Sequence, residues 1–245
     1  MKKIEIAAFI PARSGSRRLK DKNIKLINGE PLIYWTVKLA TKINHFDKII
    51  FSTDSKKYLN ILKKALNKNR ISKKKIIFEL RSKKDADSKT KIFDYIKNVL
   101  IKKKYLQETQ LIVQLLPTAP LRKIKTIKKI LDLSIKSKKN IFTVSKYDFH
   151  IQFALEVKGL KWKTLFKNSP LKTGKTRSQD QKIFYKPNPV ANCLWIKKIV
   201  PNVKTIYDKA IPYITNTLEG KDLDNLEDFK MIKALASGNS NYEKK

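Results

Sequence analysis

The sequence has almost none of the residues on which disulfide, thiol and zinc chemistry depend. Its 245 residues include one cysteine, Cys193, and two histidines, His45 and His150, which lie far apart. This set excludes an internal disulfide and provides no ligand spacing for a zinc site. Glycine is also scarce, with six residues, and neither G-x-x-x-x-G-K-[ST] nor G-x-G-x-x-G occurs. The sequence therefore contains no P-loop and no dinucleotide-binding turn.

Long apolar runs are missing as well. No stretch approaches the roughly 18 apolar residues of a membrane span. The segment MKKIEIAAFI begins like a signal peptide, but its apolar run is short, includes Glu5 and leads into a loop motif. We therefore expect a cytoplasmic protein with no membrane partner.

Negative charge is scarce, and among the basic residues arginine is scarce too. The chain has 56 Lys+Arg against 21 Asp+Glu and a formal net charge of +35, yet it holds only seven arginines. Nucleic-acid surfaces cluster their charge and use arginine for planar, bidentate contacts. The scattered lysines favour a compositional bias and no nucleic-acid partner, with a polyanion-binding surface as the alternative.

An alternation of short β-rich runs and longer helical runs fills the first 145 residues. The helical runs cover 31–43, 55–68, 90–104 and 122–137, and the β-rich runs cover 4–10, 48–53, 75–80, 110–116 and 140–145. Strands separated by helices of this length predict βαβ units and a mostly parallel sheet with helices on both faces. Ligands in such sheets bind beyond the carboxyl ends of the strands.

The pattern changes after residue 145. A hairpin is predicted over 153–165 with its turn near Lys158-Gly159, followed by a strand over 190–196 and a second one near 213. The segment at about 146–190 is typical of an inserted flap or a small dimerisation subdomain. A final amphipathic helix is predicted to turn its apolar side chains inward: Leu226, Phe229, Ile232 and Leu235. We predict one domain over 1–237 and a disordered tail over 238–245.

The stretch IPARSGSRRLKDKN, residues 10–23, follows the first predicted strand. Gly15, beside the small Ser14, allows the backbone to approach a ligand closely, and Arg13, Arg17 and Lys22 suit a triphosphate. The alternative is a solvated basic loop.

The ends of the next strands carry further polar residues. Ser52, Thr53 and Asp54 are predicted to cap the helix over 55–68. Arg81 follows the third strand, and the turn LLPTAPLR after the fourth holds Thr118 and Arg122. Of the seven arginines, only Arg70 lies outside these loops and the flap. In a chain that uses lysine almost everywhere else, this concentration favours a binding site.

The segment KDLDNLED, residues 221–228, is acidic. Asp222 and Asp224, two positions apart, suit one Mg²⁺ ion on a phosphoryl substrate. The alternative is a capping box, Asp224-x-x-Glu227, at the start of the last helix.

These motifs together resemble those of the CMP-sialate synthetases. IPARSGSRRLKDKN is similar to their N-terminal signature and LPTAPLR to their P-T-S-P-L-R turn, while STDS, LRS and DLDNLED follow in the same order over about residues 4–235. The related Kdo cytidylyltransferases usually carry proline at the position of Asn23, which favours the sialate branch. The resemblance implies a Rossmann-like α/β domain, Mg²⁺ dependence and a homodimer whose flap reaches the partner's site.

The resemblance also implies an activity, the transfer of CMP from CTP to a nine-carbon acidic sugar. In that activity Arg13, Arg17 and Lys22 hold the CTP phosphates beside Ser14 and Gly15, and Asn23 and Arg81 lie toward the ribose or cytosine. Asp222 and Asp224 bind or orient the metal. The resemblance does not identify the base that takes the proton, for which our own hypothesis is a metal-bound aspartate, Asp224. We therefore count Arg13, Lys22 and Asp224 as catalytic; Arg18 and Lys20 have no assigned role.

The residues expected at the sugar are Gln114, Thr118, Arg122 and Arg177. Three departures from the family pattern lie on this side: Leu116 in place of a glutamine, Pro189-Val190 in place of a glycine and a small residue, and an irregular segment after Arg81. Gln114, two positions before Leu116, shares its face by strand alternation, or is a buried strand residue. The nucleotide is thus better defined than the sugar, and a CMP-Kdo-type enzyme or a polyanion-binding protein remains the alternative.

Overall fold

The fold is built on one seven-stranded sheet. The structure, a computed structural model, describes residues 3–82, 84–86, 92–106, 109–199 and 205–238. The strands in these residues are β1 (Ile6–Pro11), β2 (Leu26–Ile27), β3 (Glu30–Pro31), β4 (Lys48–Thr53), β5 (Ile76–Leu80), β6 (Leu111–Gln114), β7 (Ile141–Lys146), β8 (Leu155–Lys158), β9 (Lys161–Thr164), β10 (Tyr185–Trp195) and β11 (Ile211–Ile214). The order in the large sheet is β11-β7-β10-β6-β1-β4-β5.

The large sheet is mostly parallel, as predicted. β1 pairs in parallel with β4 and β6, β4 with β5, and β7 with β11. β10 runs antiparallel to both of its neighbours, β6 and β7, and its register with β7 shifts between Pro187 and Asn192. The strands predicted in the first 145 residues are therefore confirmed, and so is the strand predicted over 190–196, which begins earlier than predicted.

Helices connect the strands. In the described residues they are α1 (Leu32–Thr41), α2 (Lys56–Lys68), α3 (Ile92–Tyr95), which continues into a π-helical segment (Ile96–Leu100), α4 (Ile124–Ser137), α5 (Pro170–Thr173), α6 (Ile196–Ile199) and α7 (Leu226–Gly238). None of these helices combines the length and the hydrophobicity that crossing a bilayer requires, as far as the chain is described.

The cap of α2 differs from the prediction. Ser55 is the N-cap residue, and its hydroxyl accepts a hydrogen bond from the backbone N–H of Tyr58 at 3.3 Å. Thr53 accepts from the N–H of Ser55, so its part in the capping turn agrees with the prediction. Ser52 and Asp54 were wrongly predicted as caps, because their side chains bond to residues on other elements.

Both faces of the sheet are covered, and the alternation along β1 shows how. The even-numbered residues from Ile6 to Ile10 belong to a buried cluster with the apolar faces of α1, α2 and α4. Ala7 and Phe9, which point to the opposite face, pack against the segment 95–106. The continuous apolar run of β1 follows from this burial on two sides.

The last helix, α7, packs beneath the loop that follows β1. Its Ile232 is buried with Leu19 and Leu32 in a third apolar cluster, and Phe229 packs against this cluster. Leu226 was wrongly predicted to face inward. It is the first residue of the helix and is 52% exposed, because the buried face begins one turn later.

The chain leaves the sheet between Lys146 and Tyr185, within the segment predicted as a flap. The predicted hairpin is present as β8 and β9, and its residues are exposed apart from a half-buried Thr164. Exposed apolar side chains are concentrated in this segment, among them Leu160 and Trp162. Apart from Gly238 at the end of α7, the tail predicted over 238–245 lies outside the described residues.

Candidate active site

A cavity of about 630 Å³ opens at the carboxyl ends of the central strands. This is the edge at which open α/β sheets bind their ligands. Five cationic side chains and three carboxylates line it: Arg13, Arg17, Arg18, Lys22 and Arg81, with Asp85, Asp222 and Asp224. The excess of positive charge suits a polyphosphate, whose oxygens guanidinium groups bind in pairs.

Lys22 connects the loop after β1 to the acidic segment before α7. Its ammonium group donates to the carboxylate of Asp224 at 3.0 Å and to the backbone carbonyl of Leu223 at 2.8 Å. Arg18 contacts the other oxygen of Asp224 at 2.9 Å. Lys22 is mostly buried, whereas Arg18 is exposed, so the Lys22 contact is the less screened of the two. Two cations therefore hold Asp224 at the cavity.

Hydrogen bonds to the loop itself fix its course. Asp54, at the end of β4, accepts from the backbone N–H of Ser14 at 2.9 Å and from its hydroxyl at 2.6 Å. Burial alone would raise the pKa of Asp54, but the two hydrogen bonds from Ser14 outweigh it and hold the pKa below its usual value. The Asn23 amide donates to the carbonyl of Arg13 at 2.9 Å. This hydrogen bond fixes Arg13 and Asn23 next to each other in the lining of the cavity.

Two residues predicted at the nucleotide do not line the cavity. Ser14 is engaged with Asp54, and Gly15 does not have the positive φ that favours glycine. A Cβ atom at Gly15 would meet no atom within 4 Å, so the protein's own packing does not require glycine there. The loop is shaped by Asp54 rather than by the glycine.

Arg81 lies at the cavity after β5, as the sequence predicts. It is only 6% exposed, and its Nε has no hydrogen-bond partner in the described residues. Its guanidinium carbon lies 5.4 Å from the centre of the Tyr95 ring. Burial lowers the pKa of Arg81, while the nearby Tyr95 hydroxyl and the Asp54 carboxylate oppose this change.

Asp222 is the other carboxylate of the predicted metal pair. It lies inside the cavity wall, and its Oδ1 is buried without a hydrogen-bond partner in the described part of the chain. Burial raises the pKa of Asp222; the Thr118 hydroxyl opposes this, and the charge of Asp224 adds to it. A buried carboxylate oxygen with no donor is the group that a bound cation satisfies.

The chemistry of this pair fits Mg²⁺ on a nucleotide. Within the described residues no group of three or more His, Cys, Asp and Glu is assembled around a common point. A cation here would therefore have Asp222 and Asp224 and complete its shell with water and phosphate oxygens, as Mg²⁺ commonly does. An all-protein cage, such as Ca²⁺ or zinc sites often have, is absent from this region.

The capping box proposed for the same segment is displaced by one residue. Asn225 is the capping residue: its side-chain oxygen accepts from the N–H of Asp228 at 2.8 Å, and Asp228 accepts from the N–H of Asn225 at 3.1 Å. The alternative assignment, Asp224 with Glu227, is wrong, because Asp224 bonds to Lys22 and Arg18 instead. Asp224 is therefore not required for capping α7.

The turn after β6 brings Gln114 and Thr118 to the cavity, but not Arg122. Arg122 is 5% exposed and does not line the cavity. Its Nε donates to the carbonyl of Ala119 at 3.1 Å, and its terminal nitrogen donates to the carbonyls of Leu116 and Pro189. The structure therefore does not bring Arg122 to the cavity: its Nε and one terminal nitrogen bond inside the protein, and its other terminal nitrogen is buried without a hydrogen-bond partner in the described residues. Arg122 fixes the turn that carries Thr118.

The other two residues predicted at the sugar are Gln114, which lies at the cavity, and Arg177, which lies on the flap. The Gln114 side-chain oxygen accepts from the Asn192 amide of β10 at 3.1 Å, and Gln114 lines the cavity beside Leu116. Arg177 lies on the flap, where its side chain is 74% exposed, and it is not part of the cavity formed by this chain.

Sequence reasoning missed Tyr95 and left Arg18 without a role, although both line the cavity. The signal for Arg18 was available, since it is one of seven arginines in a lysine-rich chain. No local signal identified Tyr95, because a tyrosine in an amphipathic helix has the pattern of a core residue.

Comparison with known proteins identifies the family of the chain. The family model described as Cytidylyltransferase matches residues 7–192. These include the five cationic residues of the cavity, here called its basic wall, but end before Asp222 and Asp224. Over 245 aligned positions, 95% of this chain and 96% of the relative, the chain is 25% identical to CMP-N,N'-diacetyllegionaminic acid synthase of Legionella pneumophila. It is 31% identical over 118 residues to N-acylneuraminate cytidylyltransferase of Escherichia coli, covering 48% of this chain but only 25% of that longer protein.

Solved structures share the fold. CMP:2-keto-3-deoxy-manno-octonic acid synthetase complexed with CTP matches with a TM-score of 0.63 at 14% identity, covering 96% of this chain and 99% of that chain. At this identity the likeness concerns the fold alone, and it agrees with the Rossmann-like sheet. Because the family model covers most of the chain and spans the basic wall of the cavity, the protein belongs to the cytidylyltransferase family and is a nucleotidyltransferase.

Proposed function

We propose that the protein transfers CMP from CTP to the anomeric hydroxyl of a nonulosonic acid, a nine-carbon acidic sugar, and releases pyrophosphate. The observation that carries the proposal is the cavity in which four of the seven arginines and Lys22 face Asp222 and Asp224. The choice of sugar is supported by the near full-length similarity to a CMP-N,N'-diacetyllegionaminic acid synthase. CTP is a cytoplasmic metabolite, so the enzyme is proposed to act there.

The basic wall is proposed to bind the triphosphate. Arg13 and Arg17 bind its oxygens with paired N–H groups, and Lys22 adds a point charge next to Asp224. Asn23 and Arg81 lie toward the ribose and base. Ser14 and Gly15 contribute through the backbone of the loop that Asp54 holds.

The transfer itself is proposed to depend on positioning and charge neutralisation. The sugar's anomeric oxygen attacks the α-phosphorus in line, the bond to the β-phosphate oxygen breaks, and pyrophosphate leaves. The proton of the hydroxyl passes to the carboxylate of Asp224. Asp222 and Asp224 would hold Mg²⁺, which when bound neutralises charge on the phosphoryl oxygens. Arg13 and Lys22 neutralise the charge that develops on the leaving group.

The sugar is proposed to bind between the turn after β6 and the flap of a second copy of the chain. Gln114 and Thr118 supply polar groups from this chain's cavity, and Arg177 of a partner subunit supplies a guanidinium for the sugar carboxylate. Exposed Arg177 and the exposed apolar side chains of the flap support a homodimer. Size-exclusion chromatography with light scattering measures the oligomeric state. A monomer would mean that Arg177 of a partner subunit does not bind the sugar carboxylate.

The test is pyrophosphate release by the purified protein with MgCl₂, CTP and one sugar at a time. N,N'-diacetyllegionaminate, N-acetylneuraminate, pseudaminate and Kdo form the panel. We expect release with at least one of the first three and none without MgCl₂. Release with Kdo alone would move the enzyme to the CMP-Kdo class.

Thermal stabilisation by CTP separates the enzyme from a polyanion-binding protein. We expect Arg13→Lys to remove the stabilisation by CTP and the exposed Arg70→Lys to leave it unchanged, although both keep the net charge. If heparin protects all three proteins equally and CTP protects none, the proposal is wrong.

A further inference from the structure

A buried carboxylate beneath the cavity has no part in the transfer described above. Glu79, on β5, is 1% exposed and accepts three hydrogen bonds. Ser52 of β4 and the hydroxyl of Tyr95 (2.6 Å) donate to one oxygen, and Lys103 donates to the other at 2.7 Å. Lys103 supplies the compensating positive charge, so the cluster is neutral and its polar atoms are paired. Such a cluster holds the side chains that form it in one arrangement.

Tyr95 connects this cluster to the cavity wall. Its hydroxyl is anchored to Glu79, and its ring stacks on Phe9 of β1 with ring centres 6.2 Å apart. Arg81 also contacts the ring, with 5.4 Å from its guanidinium carbon to the ring centre. Tyr95 also stands at the junction of α3 with a π-helical segment, a rare conformation that is frequent at functional sites.

Arg81 needs such support. It is only 6% exposed although it lines the cavity, and its Nε lacks a hydrogen-bond partner among the described residues. A guanidinium with an unpaired N–H is oriented by packing until a ligand arrives. The ring face of Tyr95 attracts the cation and fixes its plane.

We propose that Tyr95 is a positioning residue which, anchored by Glu79, holds the Arg81 guanidinium in the orientation that receives the pyrimidine nucleoside triphosphate. The inference rests on the proposed binding of CTP and adds to it the chain Glu79–Tyr95–Arg81. Its effect on the nucleotide therefore passes through Arg81.

The test is a double-mutant cycle on CTP affinity, measured by calorimetry with Tyr95→Leu, Arg81→Ala and the double variant. Tyr95→Leu is expected to weaken CTP binding about 30-fold, the size of a desolvated cation–π contact. In the Arg81→Ala background the same change is expected to have almost no further effect. Equal effects in both backgrounds would overturn the proposal, since Tyr95 would then act on the ligand directly or through general packing.

Two further variants control for the fold. Tyr105→Leu alters a tyrosine that packs on the same apolar cluster but does not line the cavity, and CTP affinity is expected to remain that of the wild type. Tyr95→Phe keeps the ring and removes the bond to Glu79, so it is expected to fold even where Tyr95→Leu does not. It is expected to weaken CTP binding several-fold, again only when Arg81 is present. Unchanged affinity in Tyr95→Phe would remove Glu79 from the chain of positioning residues.

The outcome for the wild type separates this inference from the proposed function. If the wild-type protein does not bind CTP, both are wrong. If it binds CTP and the cycle is additive, only the positioning role of Tyr95 is wrong.

Discussion

Replacing Arg122 by methionine distinguishes a residue that supports the turn from one that contacts the sugar. The change removes a buried guanidinium that donates to the carbonyls of Leu116, Ala119 and Pro189, and it keeps most of the side-chain volume. These carbonyls lie on the turn after β6 and on β10. Arg122 therefore joins two segments that meet on the side of the cavity where the sugar, the acceptor of CMP, is proposed to bind.

The expected cost follows from these three bonds. A buried acceptor left without its donor costs about 1–3 kcal/mol. Removing a buried cation that lacks a carboxylate partner returns part of this, because its desolvation penalty disappears as well. We expect Arg122→Met to lower the free energy of unfolding by about 3 kcal/mol, which for a chain of this length lowers Tm by about 6–12 °C.

The assay is thermal and urea unfolding together with the KM values for CTP and for the sugar. Arg70→Met is the matched control, because Arg70 is exposed and lies outside the site, and its Tm is expected to stay near that of the wild type. Arg122→Lys should fall between the two. An Arg122→Met protein as stable as the wild type, with a raised KM for the sugar alone, would refute the reasoning and return Arg122 to substrate binding.

Three other changes have defined outcomes. Arg13→Lys is expected to lower kcat/KM for CMP transfer about 100-fold, since the paired N–H contacts are lost while the charge remains; a loss below threefold in the pyrophosphate assay would contradict this. Asp222→Asn is expected to abolish Mg²⁺-dependent transfer yet to raise Tm at pH 7. Burial raises the pKa of the Asp222 carboxyl, so its ionised form destabilises the fold above that pKa, and the gain in Tm disappears in acid. A lowered Tm at pH 7 in a thermal scan would contradict this. Glu30→Gln is expected to lower the free energy of unfolding by about 1 kcal/mol at pH 7. Burial alone would raise the pKa of Glu30, but hydrogen bonds from Lys68 and Asn69 hold the pKa below its usual value, so their contribution to stability is present at neutral pH and is lost as the pH falls through the lowered pKa. Urea unfolding of both proteins at pH 7 and pH 3 measures this difference, which a gap that persists at pH 3 would contradict.

Most elements of the fold were predictable because each depends on a local pattern, but the two-residue strands β2 and β3 were not predicted. The strands end where their apolar runs end, and α1, α2 and α4 follow the period of their buried residues. The antiparallel direction of β10 was not predictable, since it depends on the path of the flap and not on the residues of the strand.

The candidate site was predictable as a set of loops but not as a set of contacts. Arg13, Lys22 and Asp222 lie at the cavity because strand ends in a parallel sheet meet at one edge. One partner of Arg122, Pro189, comes from β10, and the carboxylate that anchors Tyr95 comes from β5; no local pattern identifies partners so distant in sequence. Local rules also misplaced the cap of α7 by one residue, because Asp224 is engaged by Lys22 from the far end of the chain.

The position of β10 has a consequence for the order in which the protein folds. In the described sheet, β5, β4, β1 and β6 form a parallel block from the first 114 residues, and β7 and β11 join that block through β10. We expect a nascent chain to form this block first, because its four strands are synthesised before β10 and the long-range pairing of β10 with β6 is slow to close. The strands that carry the loop of Arg13 and the position of Arg81 are thus expected to pair before β10, whose Pro189 carbonyl accepts a hydrogen bond from Arg122. A change that weakens β10 would divide the sheet in two rather than loosen one edge.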